Sequence, residues 1–397
     1  VMVPYDEPSG GKPRTPSVVL VHDYLNQRGG AEKVMAHLHR VFPEAPIYTS
    51  LWEPGKCWPS LQNAPVRASW MQALPFVRRK FKWFFWLYPF AFRTMRLPDC
   101  DVVLSSSSAY AKGVKLPGSQ PLHICYCHTP MRFAWNFDAY IREEPGPRLL
   151  KRLARWLVPW LRRWDVRTAR DVDVFIANSR TVRERIRRVY QRDAVIIHPP
   201  VELPPMLDRE QEPFFLVVSR LVSYKRIDLA VEACTRHNWP LVVIGDGPDR
   251  KRLEEMAGPT VKFLGFQPEE VKQDYLARCK AFIFPGEEDF GISPVEAHAQ
   301  GKPVVAYRAG GALDTIIEGV NGLFFTSPDP EDLANALRQL DGYRWDRAQI
   351  RATAERFSVE RFHEAIQQVV FDAYRQRSAT LPARRFIIQD SGTEALS

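Results

Sequence analysis

Short runs of consecutive apolar residues recur along this chain, and each ends in a turn of glycine, serine, histidine or acidic residues before a stretch with helical spacing. The first series comprises Val18 to Val21, Pro46 to Trp52, Cys100 to Ser108, Leu122 to Thr129, Asp173 to Ser179 and Ala194 to Pro200. The second comprises Phe214 to Arg220, Leu241 to Gly247, Val261 to Gly265, Ala281 to Pro285, Pro303 to Tyr307 and Gly322 to Phe325. A strand without alternation is buried on both faces, and regular alternation with helices specifies a parallel sheet covered on both sides. The chain has 397 residues, too many for one compact core. The proline-rich, polar segment from Val201 to Pro213 divides the two series. The expectation is an α/β chain of two Rossmann-like parallel-sheet domains facing a central cleft. The first spans 17–203, the second 210–370, and 371–397 holds a helix end and tail. The last helix, Val359 to Arg375, is expected to pack back across the cleft.

In open α/β sheets, ligands bind beyond the carboxyl ends of the strands, so the turns carry the chemistry. After Ala281 to Pro285 comes Gly286-Glu287-Glu288-Asp289-Phe290-Gly291-Ile292-Ser293-Pro294-Val295-Glu296. Ser293 reads as an N-cap, Pro294 as the first helical residue, and Glu296 as the reciprocal member of a capping box. The positive end of such a helix favours an anion, while Glu288 and Glu296 can hold sugar hydroxyls. Capping alone also explains Glu296. Arg220 and Lys225 follow the first strand of the second series, a fork and a point charge suited to a diphosphate, or else two solvated helix-start cations. Gly29-Gly30 opens the first helix and Gly310-Gly311 follows a later strand; either pair admits close backbone approach or makes an ordinary turn. His128 ends a strand of the first series. GxGxxG is absent, which argues against a nicotinamide-dependent dehydrogenase. Asp99-Cys100-Asp101 imitates a metal-binding DxD but precedes its strand, so it is discounted.

Lys and Arg exceed Asp and Glu by 55 to 46, a net charge of +9 that points to anionic partners. Residues 67–96 interleave Arg and Lys with Trp, Phe, Tyr, Met and Leu, and 148–170 repeats the pattern. Such composition suits an anionic membrane interface, with nucleic-acid binding as the competing account, although no nucleic-acid module accompanies it. The apolar run from Trp83 to Phe92 is too short to span a bilayer. Six cysteines are scattered through apolar surroundings, which suits reduced core residues and a cytoplasmic setting. Cys125 and Cys127 read as packing on one sheet face. Val1 to Pro16 lacks the charged and apolar regions of a signal peptide.

Arg220-x4-Lys225, Gly245-Asp246-Gly247-Pro248 and Glu288-Asp289-Phe290-Gly291 through Glu296 resemble the signature series of glycosyltransferase family 4, retaining enzymes of the GT-B fold. His22-Asp23-Tyr24-Leu25, Arg28-Gly29-Gly30-Ala31-Glu32 and Cys127-His128-Thr129-Pro130-Met131-Arg132-Phe133-Ala134-Trp135 further resemble the bacterial O-antigen and exopolysaccharide mannosyltransferase branch. Phe133 stands where that branch often has Tyr, and the tail after Thr380 matches nothing. The resemblance implies that Arg220 and Lys225 bind the diphosphate, Glu296 the ribose, and Glu288 and His128 the donor sugar. Phe290, Gly291 and Ile292 would line the donor, and Gly29 and Gly30 the phosphate or acceptor side. It implies no metal and no cofactor. GDP-mannose would be the donor substrate, with a lipid-linked or polysaccharide acceptor at the inner face of the cell membrane. The alternatives are a glucosyltransferase or epimerase using a UDP-sugar, or a non-catalytic basic adaptor for membrane or nucleic acid.

Overall fold

The computed structural model describes residues 15–137 and 148–380. The start of the chain through residue 14, residues 138–147 and the tail after Thr380 lie outside the described residues. Seven parallel strands form the first sheet: β1 (Val18–His22), β2 (Ile47–Thr49), β3 (Val66–Ala68), β4 (Val102–Ser107), β5 (Leu122–Cys127), β6 (Val174–Ala177) and β7 (Val195–Ile196). Their spatial order is β3-β2-β1-β4-β5-β6-β7. Six parallel strands form the second: β8 (Phe215–Val218), β9 (Leu241–Ile244), β10 (Val261–Gly265), β11 (Ala281–Phe284), β12 (Val304–Tyr307) and β13 (Gly322–Phe325), in the order β10-β9-β8-β11-β12-β13. β3 was not expected from the sequence. It is a short edge strand with a partly exposed Val66 and an exposed Arg67, so it carries no apolar run.

Alternate residues of the central strands feed separate cores, which is why their sequences are unbroken apolar runs. In β1, Val19 and Val21 join one cluster with Val103, Phe92 and Tyr88, while Val18 and Leu20 join the opposite one with Val34, Leu38 and Ile124. In the second sheet, Phe215 and Val217 face Ile227, Val231 and Leu333, and Leu216 faces Leu276 and Ala297. Each such side chain contributes about 1.5–3 kcal/mol of burial. The final helix, Val359–Thr380, crosses back: Phe362, Ile366 and Val370 lie four apart on one face and join the core beneath the first sheet. The outgoing and returning chains lie side by side where Val201 N–H donates to the Phe357 carbonyl at 2.9 Å.

The order of strands reverses between β1 and β4 in one sheet and between β8 and β11 in the other. The turns at these two switch points are 22–30 with 107–111 and 219–225 with 286–291, and they hold most of the candidate site residues.

The basic aromatic segment 67–96 divides by face. Met71, Val77, Phe85, Tyr88 and Phe92 enter the core, whereas Trp70, Phe76, Trp86 and Phe90 remain exposed. Helix Arg148–Ala169 does the same, burying Ala154, Val158 and Leu161 and presenting Trp156 and Trp160. Phe90 stacks on Trp160 at 6.0 Å, joining the two segments into one surface. No helix among the described residues is long and apolar enough to cross a membrane.

Candidate functional site

At the switch point of the second sheet, Lys225 Nζ lies 2.7 Å from Glu288 Oε2 and 2.8 Å from Oε1, with both side chains mostly buried. Glycine makes this meeting geometrically possible: a Cβ on Gly286 would sit 2.6 Å from the Lys225 carbonyl oxygen. On the other side, Gly311 N–H donates to the Glu288 carbonyl at 2.8 Å, and a Cβ on Gly310 would lie 2.2 Å from that oxygen. The two glycine turns therefore fix the backbone that carries Lys225 and Glu288. Arg220 is exposed at the end of β8, and no side-chain partner is found for it among the described residues.

Glu296 departs from the expected capping box. Helix Ile292–Ala299 begins two residues earlier than expected, with Gly291 as its N-cap at φ 87°, and no side chain caps it. Pro294 thus occupies the third helical position, where its missing N–H is still harmless. Freed from capping, the Glu296 carboxylate lies 3.0 Å from Lys272, which also meets Glu269 at 2.9 Å. Burial pulls the Lys272 ammonium down, but Glu296 and Glu269 outweigh it and hold it above the usual lysine range. Phe290 is buried, stacking on His198 at 5.3 Å.

In the first domain, Gly29 is the N-cap of helix Gly30–Val41, and a Cβ on Gly30 would lie 3.7 Å from Ile292 Cδ1 of the second domain. The Gly29-Gly30 turn thus faces the Gly291-Ile292 turn across the cleft. His128 is buried, with Nε2 2.8 Å from Ser106 Oγ; burial pushes its pKa down to about 3, so the ring is neutral. Asp23, after β1, accepts from the backbone N–H groups of Ser108, Ala109, Tyr110 and Ala111 at 2.6–3.0 Å and fixes the turn after β4.

The acidic turn reaches the first domain. Asp289 pairs with Arg132 at 2.6 Å and with Arg185, and Arg185 also meets Glu287 at 3.0 Å. Arg180 N–H donates to Asp314 at 3.1 Å. The sequence singled out none of these pairs. Arg132 sat within a quoted motif, but Arg185 lies in a helix (Arg180–Tyr190) so rich in arginine that no pattern distinguishes it. The geometry thus joins Lys225 to Glu288 and sets Gly30 against Ile292 of the other domain, while Glu296 is paired with Lys272 and His128 with Ser106.

Two family models match adjoining parts of the chain: "Glycosyltransferase Family 4" over residues 28–203 and "Glycosyl transferases group 1" over 204–357. Human alpha-1,3/1,6-mannosyltransferase ALG2 is 24% identical, covering 82% of this chain and 87% of its own length. A GDP-mannose-dependent alpha-mannosyltransferase of Corynebacterium glutamicum is 39% identical over 28% of this chain and 27% of its own. Among solved structures, Anabaena HepE in complex with UDP superposes with a TM-score of 0.65 at 18% identity, covering 90% of this chain and 100% of its own. Sucrose-phosphate synthase from Thermosynechococcus elongatus does so at 0.68 and 18%, covering 92% and 100%. With both halves matched and the doubly wound pair of sheets in place, the chain belongs to glycosyltransferase family 4, enzymes of the GT-B fold.

Proposed function

We propose that the chain transfers a mannosyl group from GDP-mannose, with retention at the anomeric carbon, to a lipid-linked or polysaccharide acceptor in cell-surface glycan synthesis. The observation that carries this reading is the paired arrangement Lys225–Glu288 and Lys272–Glu296 beside the second sheet's switch point. A nucleotide sugar is a diphosphate between two polyols, so it needs cation and carboxylate together. Lys225 and Arg220 would take the diphosphate, whose charge grows as the glycosidic bond breaks, and Glu288 would turn its carboxylate to the sugar hydroxyls. Glu296 would hold the ribose. Phe290, Gly291 and Ile292 would line the donor, with His128 meeting the sugar and Gly29-Gly30 the phosphates from the facing domain. Neutralisation by Lys225 and Arg220 leaves no step that requires a metal. The mannosyl and GDP-mannose parts draw support from the relatives named above.

The exposed rings of Trp70, Phe76, Trp86, Phe90, Trp156 and Trp160, among exposed Arg78, Arg79, Lys80, Lys82, Arg93 and Arg155, support docking to an anionic membrane surface. This would place the enzyme peripherally at the inner face of the cell membrane, where a lipid-linked acceptor is presented. Segment 67–96 contains no acidic residue to oppose such contact.

The test is to incubate the purified chain with GDP-mannose, UDP-glucose or UDP-GlcNAc and measure nucleotide release, with and without vesicles carrying a polyprenyl-phosphate-linked acceptor. Release of GDP from GDP-mannose in preference to UDP from the others is the expected result. Preference for a UDP-sugar overturns the donor, and no response to any nucleotide sugar overturns the site.

A further inference from the structure

Two buried histidines share one serine beneath the cleft. Ser106 Oγ, on β4, lies 3.1 Å from His22 Nδ1, on β1, and 2.8 Å from His128 Nε2, just beyond β5. The three residues lie on neighbouring strands around the first sheet's switch point, and all are at least nine-tenths buried. A hydroxyl has one proton, so Ser106 can donate to only one of two neutral rings and must accept from the other. The proton positions of the two histidines are therefore linked.

We propose that the chain runs from His22 Nδ1–H to Ser106 Oγ, and from Ser106 O–H to His128 Nε2, so that His128 carries its proton on Nδ1 as a hydrogen-bond donor to the cleft. The two contact lengths set this direction. The 2.8 Å contact suits a hydroxyl donor and the 3.1 Å contact an imidazole N–H donor. The opposite arrangement would place a bare nitrogen lone pair of His128 towards the cleft. Burial keeps both rings neutral, at pKa values of about 4 for His22 and about 3 for His128, so tautomer rather than charge is what the relay selects. Ser106 and His22 are thereby positioning residues. They make His128 a donor to an electronegative oxygen, a sugar hydroxyl or phosphate oxygen, rather than an acceptor. This role in transfer rests on the assignment of His128 to the donor sugar; the tautomer does not.

The test uses the full chain labelled with ¹⁵N-histidine, without any nucleotide sugar, and reads tautomers at neutral pH from long-range ¹H–¹⁵N spectra, with His128 identified by its loss in His128→Gln. His128 and His22 are both expected as Nδ1–H, against the Nε2–H form that free imidazole side chains prefer. Ser106→Ala and His22→Leu should release His128 towards Nε2–H. His22→Asn, whose amide replaces the Nδ1–H donor, should retain the wild-type signature and controls for packing. Nε2–H on His128 in the wild type, or an unchanged signal in Ser106→Ala, overturns the relay. With an active donor in hand, Ser106→Ala should lower kcat by about tenfold or more, with a smaller change in KM. An altered tautomer with unaltered kcat overturns the positioning role. Absence of turnover with every nucleotide sugar in the wild type overturns the reading of the site instead, and the spectra still decide the relay.

Discussion

Lys225 Nζ lies 2.7 Å from Glu288 Oε2, joining the turn after β8 to the turn after β11 although the two residues are 63 apart in sequence. Each is about one-fifth exposed, so water screens the pair only in part. In the proposed reading a diphosphate displaces Glu288 from Lys225 and frees the carboxylate for the sugar, so the pair stores the site in a neutral form until the donor arrives.

Lys225→Ala should weaken GDP binding by about 10–100-fold, the loss expected for a charge-assisted contact to phosphate, while lowering Tm by only a few degrees. Calorimetric titration and a melting curve on the same sample check both. Unchanged affinity removes Lys225 from the diphosphate site. Glu288→Ala should leave GDP binding intact or tighter, because it removes a competitor for Lys225, and should abolish transfer.

The Asp289 carboxylate is held by Arg132 and Arg185 of the facing domain, which closes the cleft over the acidic turn. Asp289→Asn retains the shape and removes the charge. It should open the two domains, seen as a larger radius of gyration in solution scattering, and lower kcat by about tenfold, in line with 1–2 kcal/mol of lost closure. GDP affinity should change less, because the residues proposed for the diphosphate, Arg220 and Lys225, belong to the second domain. Identical scattering profiles for Asp289→Asn and wild type, with and without GDP, would remove the clasp as the closing element.

Much of this was legible in the residues. Unbroken apolar runs such as Val18 to Val21 and Phe214 to Val218 announce strands covered on both faces, and the Glu288 to Glu296 stretch announces the strand-to-helix turn that follows β11. Ser179 caps helix Arg180–Tyr190, accepting from Val182 N–H at 3.2 Å, as a serine just before a helix would suggest. What failed shows the limit of local rules. Ser293 has the chemistry of an N-cap, yet the helix begins at Ile292 with Gly291 as its N-cap, whose positive φ no local residue pattern demanded, and Glu296 is drawn to Lys272 from another helix. Arg185 and Ser106 were invisible because their importance comes from partners 104 and 22 residues away.

Glu32 gives the stability a distinct pH dependence. It is buried, its Oε1 accepts from Gln27 at 3.0 Å, and its Oε2 has no hydrogen-bond partner among the described residues. Burial pushes its pKa up to about 7. The folded state therefore holds a proton that the unfolded chain releases above the ordinary glutamate range. Because the native state binds more protons in this window, the Glu32 contribution is fully present below about pH 4.5 and is lost as pH rises to 7 and beyond, by about 3 kcal/mol. Glu32→Gln should raise Tm at pH 8 and leave it nearly unchanged at pH 4.5. An equal shift at both values, read by calorimetry, contradicts a proton on Glu32.

Trp156 is 84% exposed and Phe76 72%, on a surface where the nearby arginines and lysines of 76–93 face no acidic residue within their own segment. Rings at this exposure contribute little to the fold, so Trp156→Ala and Phe76→Ala should leave Tm within a degree or two. Their effect belongs to the interface. Each should reduce binding to vesicles containing anionic phospholipid by about three- to tenfold, because a large ring is withdrawn from headgroup depth. Replacing Arg78, Arg79 and Lys80 together by Ser should weaken binding further, by about 1 kcal/mol for each charge at low salt, and this loss should shrink as salt is raised. Flotation with neutral and anionic vesicles separates the two contributions: the ring variants lose binding at every salt concentration, the charge variant chiefly at low salt. If instead these variants bind anionic vesicles as wild type does, the exposed aromatic surface has no part in membrane docking.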